Sequence, residues 1–550
     1  MDFDFLSKPP FNLDRAARDW VKTTLAGLSP DDKLRQLFNL RSSGADAGAI
    51  AKDQAFRPGG VTRHPQPDPV LEREIIAGFN AAAQTPLLVS ADLEGSRMSL
   101  PGGAEWPNPL ALAAIDDLEV TEKVSRLMAA EARAIGINWS FTPVLDINTA
   151  FRSPIVATRG FGSNPETIAR HAICQMQAFQ AEGVASSIKH WPGEGFDDRD
   201  QHLLTTINPL SMEDWRASFG QLYKAAIDAD ALSVMSAHIA LPAYHAEQGR
   251  AEGVESYRPA SIDRALNEDL LRGEMGFNGL IVSDATSMAG LGAWSHRAQH
   301  LPEIIENGCD VILFSNNPEL DLTYLKAALA DGRLSAARVD LALARQLALK
   351  AHLGLHLGTP LPAAIDQAAA QAYAQSIAYR APTLVKDVQN LLPLRVETHK
   401  RVLVVSGGIV FPFMPDPLPF ALPDMLAAKG YEITLCTPET EISRANFDVI
   451  LYLHGEETLL VRGRIFFDWL KITGGLFGAM RRYWHEIPTL MVSFGYPYLL
   501  YDAPRIPTYI NAYATTESMQ QAVVDLLVGQ HPFTGANPVD PFCGLPDAQF

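Results

Sequence analysis

Seven short apolar runs, most of them ending in a polar residue, recur along the chain up to Asn316. They are GGVT (59–62), LLVSAD (87–92), INWSFTPV (137–144), VASSIKH (184–190), ALSVMSAH (231–238), GLIVSDA (279–285) and CDVILFS (309–315). Helix-length stretches separate them. PETIARHAICQMQAFQAEG (165–183) is one, with apolar positions at helical spacing. Strands alternating with helices define βαβ units and a parallel sheet. The pattern predicts a (β/α)8-type TIM barrel, irregular or with one strand the pattern does not reveal; an open doubly wound sheet is the alternative. Asp92, Lys189, His190, His238, Asp284 and Asn316 all stand at or just past the C-terminal ends of different runs. In a barrel those ends meet at one face, where a site can be built, whereas in an open sheet they spread along an edge. Six polar residues in register favour the barrel.

At 550 residues the chain exceeds one ordinary core. A second α/β pattern follows: RVLVVSG (401–407), YEITLCT (431–437), FDVILYLHG (447–455), PTLMVSFG (488–495) and TYINAYA (508–514). An amphipathic helix, ESMQQAVVDLLVG (517–529), ends at a capping glycine. The expected division is a barrel over 1–355, a linker over 356–400 and a smaller doubly wound α/β sandwich domain over 401–550. The second domain has no Gly-rich phosphate loop, so a nucleotide is not indicated. KITGGLFGAMRRYWHE (471–486) reads as a packed helix with a solvated Arg481–Arg482 edge rather than a membrane contact.

The formal net charge of −18 disfavours nucleic acid as a partner. Cys174, Cys309, Cys436 and Cys543 lie far apart, without the paired spacing of a structural zinc site or a disulfide framework. The acidic N-terminal stretch has no apolar core of a secretory signal, and no run approaches the ~20 residues that span a bilayer. The expectation is a cytoplasmic location, with no membrane contact and an oligomeric state the sequence leaves open.

The stretch SSIKHWPGEGFDDRDQHLL (186–204) packs Lys189, His190, Glu194, Asp197, Asp198, Asp200 and His202 around glycines and a proline. A metal site, an acid–base device and a solvated acidic loop compete to explain it. His190 and Glu194 lie across Pro192 and Gly193, so they do not share a helical face, and no familiar ligand spacing appears. Asp200 and His202, two apart in an extended segment, face the same way. Asp200 can then hold one ring nitrogen and fix the tautomer, leaving the other nitrogen to act as general acid and then base. Asp284, delivered by GLIVSDATSM to the mouth of the barrel, suits a carboxylate nucleophile, or else a helix cap. Asp92, Glu94 and Arg97 in SADLEGSRM, and Arg159 in ATRGFGSNP, are residue types that grip vicinal hydroxyls.

Together these motifs resemble glycoside hydrolase family 3, and within it the bacterial β-N-acetylglucosaminidase branch. KHWPGEGFDDRDQH is similar to K-H-F-P-G-H-G…D-S-H, DLEGSR to D-x-E-G-G-R, RGFGSNP to R-S-F-G-x-x-P and SDATSM to S-D-D-x-S-M. FTPVLDIN (141–148), MSAHIALP (235–242), TLVKDVQNLLPL (383–394) and HPFTGANPVD (531–540) carry the likeness along nearly the whole chain. The resemblance implies a retaining mechanism without a cofactor or metal, acting on a small carbohydrate such as a cell-wall or chitin fragment. Asp284 is then the nucleophile, and His202 paired with Asp200 the acid–base. Asp92, Arg159, Lys189 and His190 hold the sugar, with Arg97 supporting the pocket. Met288 and His238 are further candidates. A β-glucosidase, a phosphorylase on the same scaffold and a sugar-binding protein without catalysis are the alternatives. The chain departs from the pattern at Glu194, Ala285, Ser96 and Trp191. Glu194 adds a carboxyl beside the catalytic loop, where it either meets a polar or cationic aglycone or rivals His202 as the acid.

Overall fold

A ring of eight parallel strands forms the first half of the molecule. The computed structural model describes residues 3–250, 253–412 and 414–550. The strands up to residue 313 are β1 (Phe38–Ser43), β2 (Gly60–His64), β3 (Leu88–Ala91), β4 (Trp139–Ser140), β5 (Ala185–Trp191), β6 (Thr206–Ile207), β7 (Ser233–Ser236), β8 (Ile239–Ala240), β9 (Leu280–Ser283) and β10 (Ile312–Leu313). The hydrogen-bonded order is β10-β1-β2-β3-β4-β5-β7-β9. A parallel bridge between Val282 and Val311 closes the ring, so the sheet is a barrel and not an open sheet. β6 and β8 pair with each other in a separate short ribbon.

Each of the seven apolar runs supplies one barrel strand. The eighth, β1, is FNLRSS, in which Phe38 and Leu40 are the only large apolar residues. Its inward position is taken by Asn39, whose Nδ2 donates to Ser90 Oγ at 2.9 Å, while Thr62 and Ser90 hydroxyls lie 2.7 Å apart. A strand that meets its neighbours inside the barrel through amide and hydroxyl groups leaves no apolar signature.

The helices begin where their caps dictate. Asn164 accepts from the Glu166 and Thr167 N–H groups, Pro165 fills the first turn, and Pro165–Ala181 buries Ile168, Ala172, Met176 and Phe179 against the barrel.

The second sheet contains β11 (Thr383–Asp387), β12 (Arg401–Val410), β13 (Glu432–Leu435), β14 (Val449–Glu456), β15 (Thr489–Ser493) and β16 (Thr508–Asn511). Its order is β11-β16-β15-β14-β12-β13, parallel except for the antiparallel pairing of β11 with β16. Residues 356–400, expected as a linker, contain the helix Gln367–Ala378, whose Ile377 joins the barrel core, and β11, which completes the second sheet. The second core also takes in Leu110, Ala111, Ala114 and Ala157 from the barrel half, so apolar packing is continuous across the two halves.

The stretch 471–486 is not the packed helix its sequence suggests. Gly474 and Gly475, both at positive φ, separate two single turns, Trp469–Ile472 and Leu476–Ala479. Leu470, Leu476, Phe477 and Met480 are exposed, and Arg482 lies over the Trp469 ring at 3.4 Å from its centroid instead of forming a solvated edge.

A buried ion pair ties β2 to the helix Pro69–Ala82. Arg63 Nε and Nη2 donate to Glu72 at 2.6 and 3.0 Å, and the guanidinium also reaches the Ser42 and Gly44 carbonyls. Removing one partner strands the other charge without water. Glu72→Ala is therefore expected to lower unfolding stability by about 3–5 kcal/mol, measured by chemical denaturation. A loss below about 1 kcal/mol, the range of a surface pair, would show that Arg63 finds another route to solvent.

Candidate active site

The C-terminal ends of β3, β5 and β9, with the loops after β4 and β5, bring the polar residues together. Glu94, just past β3, is fully buried and bridges two cations. Arg159 Nε and Nη2 donate to it at 2.8 and 3.0 Å, and Lys189 Nζ lies 2.6 Å away. Lys189 also donates to Asp92 at 2.9 Å, and the Asp92 side chain is the most open of the four, at 35% exposure. Burial alone would raise Glu94, but Arg159 and Lys189 hold its carboxyl far below the usual range. Burial would lower Lys189, yet Asp92 and Glu94 keep it charged above its usual value. Glu94, Lys189 and Arg159 are thus held in their ionised forms by one another.

His190, at the end of β5, turns Nδ1 to Asp146 Oδ2 at 2.6 Å, while its Nε2 lies 3.3 Å from Arg159 Nη2. Asp146 also accepts from the His190 and Glu194 N–H groups. Burial would raise Asp146, but His190 and these donors bring it down. Asp146 sits two residues past the apolar run FTPV, in a motif whose partner only the fold reveals. Asp146, His190 and Glu194 place one potential metal-ligand atom each within 4.8 Å of one another. The imidazole nitrogens, however, already face Asp146 and a guanidinium, which supplies positive charge to the same spot.

Glu194 is a buried carboxyl group. Its Oε2 accepts from Gln201 Nε2 at 3.0 Å, and Oε1 has no partner. Burial pushes its pKa well above the carboxylate range, and Asp146, Asp200 and Asp284 push it further while Arg159 opposes them. Gly195, at φ +112, lets the chain turn under the barrel mouth, since a Cβ there would meet Ile147 O at 1.9 Å.

The dyad follows. His202 Nδ1 donates to Asp200 Oδ1 at 2.7 Å, and the His202 N–H reaches the same oxygen at 2.8 Å. Because a carboxylate only accepts, the proton sits on Nδ1 in the neutral ring and Nε2 is left for proton transfer. Among the described residues, Nε2 has no hydrogen-bond partner. Burial would raise Asp200, but His202 and main-chain donors hold it below its usual value. Asp197 is a local clip, paired with Arg199 at 2.6 Å and capping the Ile207 N–H.

Asp284 stands at the end of β9, its N–H on Ser236 O and its Oδ1 on the Ala285 N–H at 2.7 Å. Burial would raise it, but the rings of His238, His190 and His202 and the Ala285 N–H keep the carboxyl below its ordinary value and ionised. The Asp284 loop and the dyad loop are docked on each other. Ala289 N donates to His202 O at 2.9 Å, and Thr205 Oγ1 to Gly290 O at 2.6 Å. Gly290 permits the contact, because a Cβ there would lie 2.2 Å from Gln201 O.

The remaining candidates have structural neighbours. His238 Nε2–H donates to Ala285 O at 3.0 Å and Nδ1 meets Ser261 Oγ, so the ring braces the loop behind Asp284; burial lowers its pKa while Asp284 opposes the shift. Met288 is buried at the start of the helix that follows. Arg97 points to the second domain, donating to Thr515 Oγ1 at 2.8 Å and Thr515 O at 3.1 Å. The departures from the family pattern also find places. Trp191 packs edge-on against Trp215 and Tyr223 in the core. Ser96 occupies a left-handed position at φ +48 and donates to Glu457 Oε1 at 2.7 Å. Sequence reasoning misses Asp146, Gln201, Glu457 and the rim residues Arg41 and His64, at or near the ends of β1 and β2. Partial desolvation at this otherwise exposed position lowers the His64 pKa, with Asp92 opposing the shift and Arg41 adding to it.

A closed barrel with an ionised strand-end carboxylate beside a tautomer-fixed histidine is the arrangement of a group-transfer enzyme. Residues 33–349 match the family described as "Glycosyl hydrolase family 3 N terminal domain". A Cellulomonas fimi protein named "Beta-N-acetylglucosaminidase/beta-glucosidase" is 38% identical, over 98% of this chain and 98% of that one. A Stenotrophomonas maltophilia "Beta-hexosaminidase" is 34% identical over 45% of this chain and 72% of its own length. The solved structure of "Beta-glucoside phosphorylase BglX bound to 2FGlc" superposes with a TM-score of 0.93 at 32% identity, covering 99% of this chain and 100% of that one. The chain belongs to glycoside hydrolase family 3.

The state of Glu194 predicts a pH dependence. In the unfolded chain the group releases its proton at about pH 4.3. The folded protein retains it to higher pH, so the wild type loses stability as pH rises between the two values. Glu194→Gln, a neutral isostere, escapes that loss. Its Tm advantage is expected to be smallest near about pH 4.5 and to grow toward about pH 8. An advantage independent of pH would mean that Glu194 is ionised throughout.

Proposed function

We propose that the protein is an exo-acting, retaining enzyme on β-linked sugars that cleaves terminal N-acetylglucosaminides or glucosides, with small cell-wall or chitin fragments as candidate substrates. Asp284 attacks the anomeric carbon and forms a glycosyl-enzyme. The doubly protonated His202 ring gives its Nε2 proton to the departing oxygen and is left neutral with its proton on Nδ1; Nε2 then takes a proton from the incoming acceptor as that acceptor displaces Asp284 from the sugar. Asp200 fixes the ring and offsets its positive charge whenever it is doubly protonated. Asp92, Lys189, His190 and Arg159 grip the hydroxyls of the terminal sugar. The observation that carries this reading is the docking of the Asp284 loop on the dyad loop, which ties the segment bearing the ionised Asp284 carboxylate to the segment bearing the His202 ring.

A second reading, transfer to phosphate, has two supports. One is the full-length likeness to a β-glucoside phosphorylase. The other is the chemistry of the base: a deprotonated imidazole is neutral and does not repel an anionic acceptor as a carboxylate would. Assays with and without inorganic phosphate separate the readings, because phosphorolysis yields the sugar 1-phosphate and hydrolysis the free sugar. Aryl glycosides differing at the 2-position separate the two sugars.

Asp284→Ala is expected to lower kcat by about a thousandfold or more on every aryl glycoside. A variant that keeps most of its activity removes the nucleophile assignment. His202→Ala should lose about a hundredfold or more on a phenyl glycoside and far less on a dinitrophenyl glycoside, whose leaving group needs no proton. An equal loss on both would exclude His202 as the acid and turn attention to Glu194.

A further inference from the structure

Asp200 holds His202 with one oxygen only. The other oxygen, Oδ2, is held from the second domain, where the Val461 main-chain N–H donates to it at 2.8 Å. Val461 has φ +58, a left-handed conformation that β-branched residues rarely adopt. Its side chain is 59% exposed, so packing does not account for the conformation. Strain of this kind persists only where the surroundings over-determine it.

The surroundings do so. Val461 ends a short tether that leaves β14 and grips the barrel at successive residues. The buried Glu457 carboxylate accepts from Ser96 Oγ at 2.7 Å and Asn108 Nδ2 at 3.3 Å, as well as from the Thr515 N–H and hydroxyl on its own domain. Its carbonyl accepts from Thr158 Oγ1 at 3.2 Å. Thr458 Oγ1 and the Leu459 N–H both donate to Pro154 O, at 2.8 and 3.1 Å. The next contact is the one on Asp200.

We propose that Glu457–Val461 of the second domain is a positioning element of the acid–base dyad, in which the Val461 N–H fixes the Asp200 carboxylate and thereby the His202 ring. With donors on both oxygens, the carboxylate plane is set. Without the Val461 N–H, both remaining donors belong to His202, and carboxylate and ring can swing together away from the leaving group. The inference rests on His202 being the acid.

Val461→Pro removes the N–H. Its test is the ratio of kcat/KM for a dinitrophenyl glycoside to that for a phenyl glycoside of the same sugar. Both rates come from one preparation, so the ratio does not depend on the folded fraction. The ratio is expected to rise about tenfold or more over wild type, because proton donation contributes to one rate and hardly to the other. The alkaline limb of the phenyl glycoside's pH profile should move with it. Val461→Gly keeps the N–H and favours the left-handed φ, and its ratio is expected within about threefold of wild type. Glu457→Ala, which loosens the tether one turn away, should shift the ratio in the direction of Val461→Pro by a smaller factor. It carries the test alone if the proline variant does not fold.

An unchanged ratio in Val461→Pro, or in Glu457→Ala where that stands alone, overturns the proposal. A rise in Val461→Gly equal to that in Val461→Pro also overturns it, since the side chain and not the N–H would then matter. His202→Ala, measured alongside, separates the levels: if it too leaves the ratio unchanged, the acid assignment fails; if it raises the ratio and Val461→Pro does not, only the tether fails.

Discussion

The site depends on one buried carboxylate. Glu94 lies under the barrel mouth with Arg159 on one side and Lys189 on the other, and so joins the end of β3, the loop after β4 and the end of β5. Three charges without water are costly to assemble, and geometry repays that cost only when each charge is matched. Here each is. Arg159 is forked onto Glu94, and Lys189 spans Glu94 and Asp92, which leaves the outermost carboxylate to meet solvent or a ligand. The same guanidinium faces His190, which in turn is braced by Asp146. The pocket floor is a chain of alternating charge whose members cannot move singly.

Much of this is legible from the sequence, and the limits of legibility are physical. Strands such as LIVS and LVSA announce themselves because they are apolar on both faces, and their terminal Asp284 and Asp92 are marked by standing at the edge of an apolar run. β1 escapes because its inward residue, Asn39, is satisfied by Ser90 and Thr62 and looks like loop composition. Asp200 and His202 are readable as a pair because the contact is local. Val461 on Asp200 is not, because 261 positions separate the partners and the donor is main chain, which has no residue type to recognise. Arg97 illustrates the converse case. Its chemistry suits a sugar, and its neighbours in sequence are pocket residues, yet its guanidinium turns to Thr515.

The second domain is accordingly more than an appendage. Its core absorbs Leu110 and Ala157 from the barrel half, Arg97 and Ser96 reach into it, and its tether returns to the loop that bears Asp200 and His202. Asp284 is held by barrel elements, whereas the Asp200–His202 pair is held jointly by both halves. Glu194, at first the least explained of the titratable groups, belongs to this frame too. By accepting from Gln201 it anchors the residue between Asp200 and His202.

The docking of the Asp284 loop on the dyad loop through Gly290 has an evolutionary corollary. Two loops locked to each other in this way form one casting, and a change in either disturbs Asp284 and His202 together. The rim at β1 and β2 is of another kind. Arg41 and His64 are exposed there, and among the described residues no hydrogen bond links either of them to the catalytic loops. New substrate preferences in this lineage would therefore arise most readily from that rim, where a substitution can alter what the pocket admits without retuning how it reacts.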